Sequence, residues 1–258
     1  MLFQDRANMA NKKHYSTINL FIRSLLFSIY SLTSILLYSL VLLFSMLFPL
    51  DYRYVLMRFF FRTYLTTLKA VCHIDYEVEG LENIPKDRNG IVLCKHQSTW
   101  ETFLLPLLFH KFAVIAKREL VWIPFFGWGL ASSDPITINR TNKSSAMQQI
   151  LEKGKKCLQA GRWVLIFPEG TRTAPGHIGN YKLGGPRLAA ATGYPVIPVA
   201  HNAGRFWPRR KFIKRPGKIR VVVGPLIESK DRTPEEVLDL AKSWIESTMV
   251  RIDSRGSQ

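Results

Sequence analysis

A histidine and a glutamate stand close together in the short stretch "KHQSTWETF", residues 95–103. A carboxylate beside an imidazole can fix its tautomer and raise its basicity, which would make His96 a general base for a hydroxyl group with Glu101 as its partner. Ser98 and Glu101 also form a Ser-x-x-Glu capping box, which is typical of a helix start. A helix that begins near Ser98 would let Glu101 fold back toward His96, but the spacing alone leaves both interpretations open.

A second polar motif, "FPEGTR", occupies residues 167–172 and has the Pro and Gly of a turn. A planar arginine side chain can donate two hydrogen bonds to a phosphate, whereas a Glu–Arg pair in a turn is often a structural salt bridge. The candidate binding residues of this motif are Glu169, Gly170, Thr171 and Arg172.

Basic residues flank an apolar stretch, "LVWIPFFGWGL", between Lys117 and Arg140. This stretch could be an ordinary core segment, the wall of an acyl-chain groove, or a surface that dips into lipid. Lys117 and Arg140 could supply phosphate contacts at the mouth of such a groove.

Alternating strand and helix patterns must position these side chains, and they predict an α/β fold in which helices flank a sheet. The motifs at residues 95–103 and 167–172 each follow a predicted strand, and open α/β sheets place their chemistry at such strand ends. Predicted strands cover residues 90–94, 112–117, 163–167, 194–201 and 218–224, and predicted helices cover residues 144–161, 184–193 and 233–252.

The N-terminal part has a different character, since residues 24–50 contain no charged side chain. At about 1.5 Å per residue this run is long enough to cross a bilayer. Residues 54–74 are apolar but interrupted by bases, which predicts a basic helix lying in the membrane interface. We therefore predict a membrane-anchoring segment over residues 1–75 and a catalytic domain over residues 76–258. Bases on both sides of the run leave a full span and a one-leaflet helical pair as alternatives.

The chain is strongly basic, with a formal net charge of +17 over 258 residues. This charge indicates an anionic partner, namely nucleic acid, an acidic membrane or a phosphorylated substrate. The bases are scattered and form no recognised nucleic-acid motif, so we expect no nucleic-acid partner. The three cysteines have neither zinc-ligand spacing nor a disulfide pattern, and we expect no metal site.

Taken in order, these blocks and "VIPVA" at residues 196–200 resemble the glycerolipid acyltransferases, most closely the bacterial-type 1-acyl-sn-glycerol-3-phosphate acyltransferases. The resemblance covers roughly residues 90–200 and implies an αβ acyltransferase fold with a mixed sheet. It makes His96 the catalytic base and Glu101 its acidic partner, where the family usually has Asp. It assigns acceptor binding to Glu169 through Arg172, with Lys117 and Arg140 in a block that is also linked to phosphate binding.

The resemblance also implies transfer of a fatty acyl group to the sn-2 hydroxyl of lysophosphatidate, giving phosphatidate. The expected co-substrate is acyl-CoA or acyl carrier protein, with no other cofactor. We expect an anionic phospholipid membrane as a partner and a bacterial inner-membrane location with the catalytic domain facing the cytoplasm. One alternative is another lysophospholipid or lyso-aminolipid acceptor. A second is a basic, membrane-anchored binding protein without catalysis, which would not need His96.

Overall fold

The computed structural model describes residues 15–139 and 141–254. These residues form a seven-stranded sheet in the order β1-β7-β6-β2-β5-β3-β4. The neighbouring pairs are parallel except for β6 and β7, which are antiparallel, so the predicted mixed sheet is confirmed. The strands are β1 (Ile74–Glu79), β2 (Ile91–Cys94), β3 (Phe112–Lys117), β4 (Ile136–Ile138), β5 (Trp163–Ile166), β6 (Val196–His201) and β7 (Gly217–Val223).

Helices cover both faces of the sheet. Val92 and Cys94 of β2 face one apolar core, whereas Ile91 and Leu93 face the other, as the alternation of side chains along a strand requires. The first core is closed by α1 (Thr17–Ser45), α2 (Leu50–Cys72) and α3 (Glu101–Leu108), with α4 (Phe126–Ser132) beside α1. The second is closed by α5 (Lys143–Gln159), α6 (Gly184–Thr192) and α7 (Pro234–Ser254).

Each strand and helix predicted from the alternating pattern is present to within about three residues at either end. The start of α7 has a capping box, in which the Glu236 carboxylate accepts a hydrogen bond from the Thr233 N–H at 2.7 Å. The pattern missed β1, because the polar stretch after residue 75 was interpreted as a domain boundary. In the structure the start of this stretch belongs to an edge strand that is buried at Ile74, half-buried or exposed beyond it, and paired with β7.

The N-terminal helices differ from the prediction in how α2 packs. Helix α1 is long and apolar enough to cross a membrane by length and composition. Helix α2 was expected to lie in the interface, but its main apolar face, which includes Met57, Phe60 and Leu68, packs into the first core. A narrower strip remains exposed on α2, formed by Tyr52, Val55 and Phe59. Because α2 shares its core with the sheet, the packing does not separate the two segments at residue 75. The division of the chain there stays a prediction.

Candidate active site

His96 and Glu101 meet in the loop that follows β2. The Nδ1 atom of His96 lies 2.8 Å from Oε1 of Glu101, and the imidazole stacks on the Phe167 ring with centroids 4.1 Å apart. The side chain of His96 is 17% exposed and that of Glu101 is 1% exposed. With Nδ1–H donated to the carboxylate, Nε2 is the nitrogen that is left for proton transfer.

The capping and catalytic interpretations of this stretch are compatible. Glu101 is the first residue of α3, and its Oε1 accepts hydrogen bonds from the backbone N–H groups of Gln97 at 2.9 Å and Ser98 at 2.8 Å. Burial favours the neutral acid, but the imidazoles of His201 and His96 and the Ser98 N–H outweigh it and lower the pKa of Glu101. The ionised carboxylate of Glu101 therefore both caps the helix and orients His96.

His201 lies on the other side of Glu101, with its Nε2 3.8 Å from Oε2 of that carboxylate. Its Nε2–H donates to the Lys95 carbonyl at 2.7 Å, and its Nδ1 accepts from the Ala203 N–H at 3.2 Å. Burial lowers the pKa of His201 while Glu101 opposes that shift, and the two hydrogen bonds fix the imidazole beside the carboxylate.

Glu169 lies behind His96 rather than at the surface of the site. Its Oε2 accepts a hydrogen bond from the His96 backbone N–H at 2.8 Å, and its Oε1 lies 3.0 Å from Nζ of Lys95. The side chain has no exposed surface, and burial raises the pKa of the carboxyl while Lys95 opposes that rise. This placement favours a role in holding the His96 loop over the predicted direct contact with an acceptor.

Lys95 is the buried cation that neutralises this region, and the sequence motifs did not single it out. Besides Glu169, its Nζ contacts Oε1 of Glu246 on α7 at 2.8 Å, and the Tyr181 hydroxyl donates to the same oxygen at 2.7 Å. A buried carboxylate requires such a partner, because an unpaired charge in the core is costly. The ion pairs tie the loop of His96 to the C-terminal helix.

Arg172 lies on the wall of the site beside α3. Its Nη1 donates to Oγ1 of Thr99 at 2.6 Å, and its carbonyl accepts from Nη1 of Arg209 at 3.1 Å. Burial together with the charges of Arg209 and Arg210 lowers the pKa of Arg172, which Glu101 partly offsets. A guanidinium stays charged in spite of such a shift. Arg209 and Arg210 thus add two positive charges near Arg172.

The basic loop, residues 207–215, was missed at the sequence level. Its sequence, "WPRRKFIKR", has five bases among three large apolar side chains, and that run of charge was the available signal. The loop is fixed to the site, where the Ser98 hydroxyl donates to the Trp207 carbonyl at 2.7 Å. It is also fixed to α1, where the Lys214 N–H donates to Oγ of Ser24 at 2.9 Å.

The remaining predicted residues are dispersed. Lys117 is half-exposed at the end of β3 and lines the same cavity as His96 and Arg172. Thr171 is exposed, and Gly170 makes the turn of the motif with φ of +67°. A Cβ atom at Gly170 would come within 2.8 Å of Nζ of Lys182, so the position suits glycine. Arg140 lies outside the described residues.

An apolar cavity of about 430 Å³ opens beside His96. It runs between the sheet and the helices of the first core, past Phe103 of α3 to Tyr38 and Leu42 of α1 and Gly129 of α4. Lys117 and Arg172 line the same cavity, which otherwise has mostly apolar walls. A site with an activated base, a basic wall and a deep apolar cavity can bind an anionic lipid or a fatty chain.

Metal ligands and cysteine nucleophiles are two further kinds of catalytic group that the described part of the chain could hold. No group of three His, Cys, Asp or Glu side chains there is placed to hold a metal ion. Cys94 is fully buried, and burial raises the pKa of its thiol well above the ordinary value. A thiol in such surroundings is a poor nucleophile.

Known proteins share both the sequence and the fold. An acyltransferase family model matches residues 75–202. The chain is 44% identical over 209 residues to the 1-acyl-sn-glycerol-3-phosphate acyltransferase of Pseudomonas aeruginosa, and the match covers 80% of each protein. It is 29% identical over 185 residues to 1-acyl-sn-glycerol-3-phosphate acyltransferase alpha of Mus musculus, which covers 70% of this chain and 65% of the mouse protein.

The fold agrees with that of a solved acyltransferase. The crystal structure of the 1-acyl-sn-glycerophosphate (LPA) acyltransferase PlsC from Thermotoga maritima matches with a TM-score of 0.78 and 27% identity, covering 92% of this chain and 97% of the other. The chain therefore belongs to the 1-acyl-sn-glycerol-3-phosphate acyltransferase family of the glycerolipid acyltransferases.

Proposed function

We propose that this protein transfers a fatty acyl group from an acyl thioester to the sn-2 hydroxyl of 1-acyl-sn-glycerol-3-phosphate and forms phosphatidate. The observation that carries the proposal is the position of His96, which is held by a buried carboxylate at the opening of an apolar cavity that Arg172 also lines. A hydroxyl, a fatty chain and a phosphate each have a matching group within one site.

The chemistry follows from the His96–Glu101 pair. Nε2 of His96 takes the proton of the sn-2 hydroxyl as its oxygen attacks the thioester carbonyl, and Glu101 stabilises the imidazolium that forms. The tetrahedral intermediate collapses, the C–S bond breaks, and His96 returns the proton to the thiolate. Phosphatidate and a free thiol are the products, and no acyl-enzyme is required.

Donors for the oxyanion must lie outside the His96 loop. The backbone N–H groups of His96, Gln97 and Ser98 already donate to the carboxylates of Glu169 and Glu101. Oxyanion stabilisation requires donors aimed at the developing charge. The three N–H groups of the loop therefore position the base and do not contribute to the oxyanion hole.

The acceptor phosphate is expected to bind at Arg172, with Arg209 and Arg210 adding positive charge from the basic loop. Guanidinium groups bind phosphate through paired, charge-assisted hydrogen bonds. This cluster favours an acceptor with a phosphate monoester over one with a zwitterionic headgroup. Lys117 lines the same cavity and is a further candidate for contact with the phosphate.

The acyl chain of the donor is expected to occupy the apolar cavity, and Gly129 offers a way to shorten it. A Cβ atom at Gly129 would lie 3.4 Å from Oγ of Ser39 and 3.7 Å from Cδ1 of Leu42, so alanine fits and a larger side chain must fill the cavity. We expect Gly129→Leu to shift the preference toward shorter acyl chains, at about fourfold in kcat/KM per displaced methylene.

The measurement for this change is kcat/KM for a series of acyl-CoA chain lengths, with Gly129→Ala as the matched control. The alanine variant should keep a profile close to that of the wild type. An unchanged profile in Gly129→Leu would show that the acyl chain lies elsewhere.

We also infer that α1 lies along one leaflet and does not cross the bilayer. Near its start, the Ser24 hydroxyl accepts from the Lys214 N–H and Phe21 packs on Phe212, with ring centroids 5.2 Å apart. Near its end, Ser39 lies against Gly129 of the catalytic domain. A 29-residue helix is about 43 Å long, so a span would carry one end away from the domain. The other face of α1 exposes large apolar side chains to lipid.

Cysteine labelling tests this topology. We expect cysteines introduced by Thr17→Cys, at the first residue of α1, and by Asp51→Cys, at the start of α2, to react with a membrane-impermeant maleimide from the same side of sealed vesicles. The three native cysteines are buried, so the wild-type protein provides the unlabelled background. Labelling from opposite sides would establish a span. A bacterial inner-membrane location with the domain facing the cytoplasm is part of the same proposal.

The acceptor is tested by offering purified protein one acyl thioester, as acyl-CoA or acyl carrier protein, and a panel of lysolipids. We expect lysophosphatidate to be acylated with a kcat/KM at least tenfold above that of lysophosphatidylcholine or lysophosphatidylethanolamine. Preference for a zwitterionic acceptor would support the alternative lysophospholipid activity, and no product from any pair would contradict the enzyme proposal.

A further inference from the structure

A second cavity reaches His96 from the opposite face of the sheet. This far-face groove has a volume of about 1060 Å³ and lies between α5 and the start of α6. His96, Ile115 and Phe167 line both cavities, so the two adjoin at His96. In β5, Leu165 lines the apolar cavity and the next residue, Ile166, lines the far-face groove, as expected for opposite faces of one sheet.

An acyl thioester has two limbs that leave its carbonyl carbon. One is the fatty chain, and the other is the sulfur with the phosphopantetheine arm that acyl-CoA and acyl carrier protein share. Under the proposed function, the carbonyl must lie at His96 and the fatty chain in the apolar cavity. The sulfur limb then needs a separate exit, and the far-face groove begins at the same residue.

The far-face groove is also on the side that a water-soluble donor can approach. Helices α1 and α2 close the core on the face of the apolar cavity, and α1 carries the exposed apolar side chains. The groove lies on the other face, against α5 and α6. A lysolipid reaches the site from the membrane side, whereas the carrier of an acyl chain arrives from water.

The lining of the groove matches the chemistry of this arm. Its floor is apolar, with Ile138 and Met147, and its exposed rim has the side-chain amides of Gln148 and Asn180. Two exposed bases, Lys182 and Arg187, also line it, and Glu152 is the acid among the described lining residues. From its sulfur outward, phosphopantetheine has apolar and amide groups and then a phosphate, so its chemistry matches the lining of the groove.

We propose that the far-face groove binds the phosphopantetheine arm of the acyl donor, with Lys182 and Arg187 at its phosphate. This inference rests on the proposed function and adds the site of the donor. It also gives Gly170 a role, because this glycine lines the groove beside Lys182, where a side chain would meet the Nζ atom.

The test compares two donors in a double variant, Lys182→Glu with Arg187→Glu. One donor is acyl-CoA, and the other is the acyl thioester of N-acetylcysteamine, which has the same fatty chain and thioester but no phosphate. We expect the KM for acyl-CoA to rise about tenfold or more, as for loss of charge-assisted contacts. The KM values for the truncated thioester and for lysophosphatidate should stay at the wild-type level.

Lys155→Glu is the matched control, since Lys155 is an exposed base on α5 that does not line the groove. Turnover of the truncated thioester by the double variant reports an intact fold and catalytic site. An unchanged KM for acyl-CoA, or a raised KM for lysophosphatidate, would overturn the inference. Failure of the proposed function is a different result, in which the wild-type protein forms no phosphatidate with any donor.

Discussion

Replacement of His96 by alanine is expected to lower kcat for phosphatidate formation by a factor on the order of 10²–10⁴, the usual contribution of a general base. The imidazole is held at Nδ1 by Glu101, and no other described histidine lines the apolar cavity. Binding of lysophosphatidate should persist, because Arg172 and the basic loop are unchanged. The rates are measured on purified protein with acyl-CoA and lysophosphatidate.

His110→Ala is the matched control, since His110 is exposed at the end of α3 and lines neither cavity. This variant should turn over at the wild-type rate. Wild-type turnover by the His96→Ala variant would show that His96 is not the base, whereas absence of phosphatidate with the wild-type protein as well would favour the non-enzymatic binding protein.

Replacement of Glu101 by glutamine is expected to cost a factor on the order of 10³–10⁴ in kcat, because an amide cannot hold the imidazole in the required tautomer. Glu101→Asp should cost less, roughly 10- to 100-fold, since it keeps the charge but is one methylene shorter. The shorter side chain cannot reach Nδ1 of His96 while keeping its bonds to the Gln97 and Ser98 N–H groups.

The control for Glu101 is the same exchange in a second capping box, Glu236→Gln, where the carboxylate is exposed and caps Thr233. Its activity should be unchanged. Equal activity of Glu101→Gln and the wild type would show that Glu101 only caps α3.

The lowered pKa of Glu101 also predicts how the stability of the fold depends on pH. The ionised carboxylate stabilises the folded state above pH 4.5, the ordinary pKa of a glutamate, and this contribution is lost as the pH falls below that value.

The contact between His96 and Glu101 was predictable from the sequence because its evidence is local. A capping box fixes the start of α3, and a strand that ends at Cys94 brings His96 to the edge of the sheet. Ser98 and Glu101 therefore determine the geometry within a few residues. The order of the later motifs then follows from the order of strands in an α/β fold.

The sequence could not show where the side chain of Glu169 points. The side chain of a turn residue can face solvent or the core. For Glu169 the direction depends on Lys95, which also pairs with Glu246, and both residues are distant from the turn in sequence. The same limit applied to α2. Its apolar face predicted contact with lipid, whereas the sheet supplies a core for it to cover.

The basic loop was missed for another reason. Its five bases contribute to the net charge of the chain, but the position of the loop beside Arg172 depends on contacts with Ser98 and Ser24 from two other segments. A run of charge indicates that an anion can bind, and only the fold shows that the loop lies next to the base. Arg209 and Arg210 thereby join the candidate phosphate site.

The central claim is direct acyl transfer to the sn-2 hydroxyl, and the most direct measurement counts both products of a single reaction. Purified protein is mixed with lysophosphatidate and an acyl thioester, either acyl-CoA or acyl carrier protein, and phosphatidate and free thiol are followed together. Direct transfer predicts one thiol for each phosphatidate, and no acyl transfer to a 2-deoxy analogue of the acceptor. Thiol release without phosphatidate, or no turnover with either donor, would contradict it.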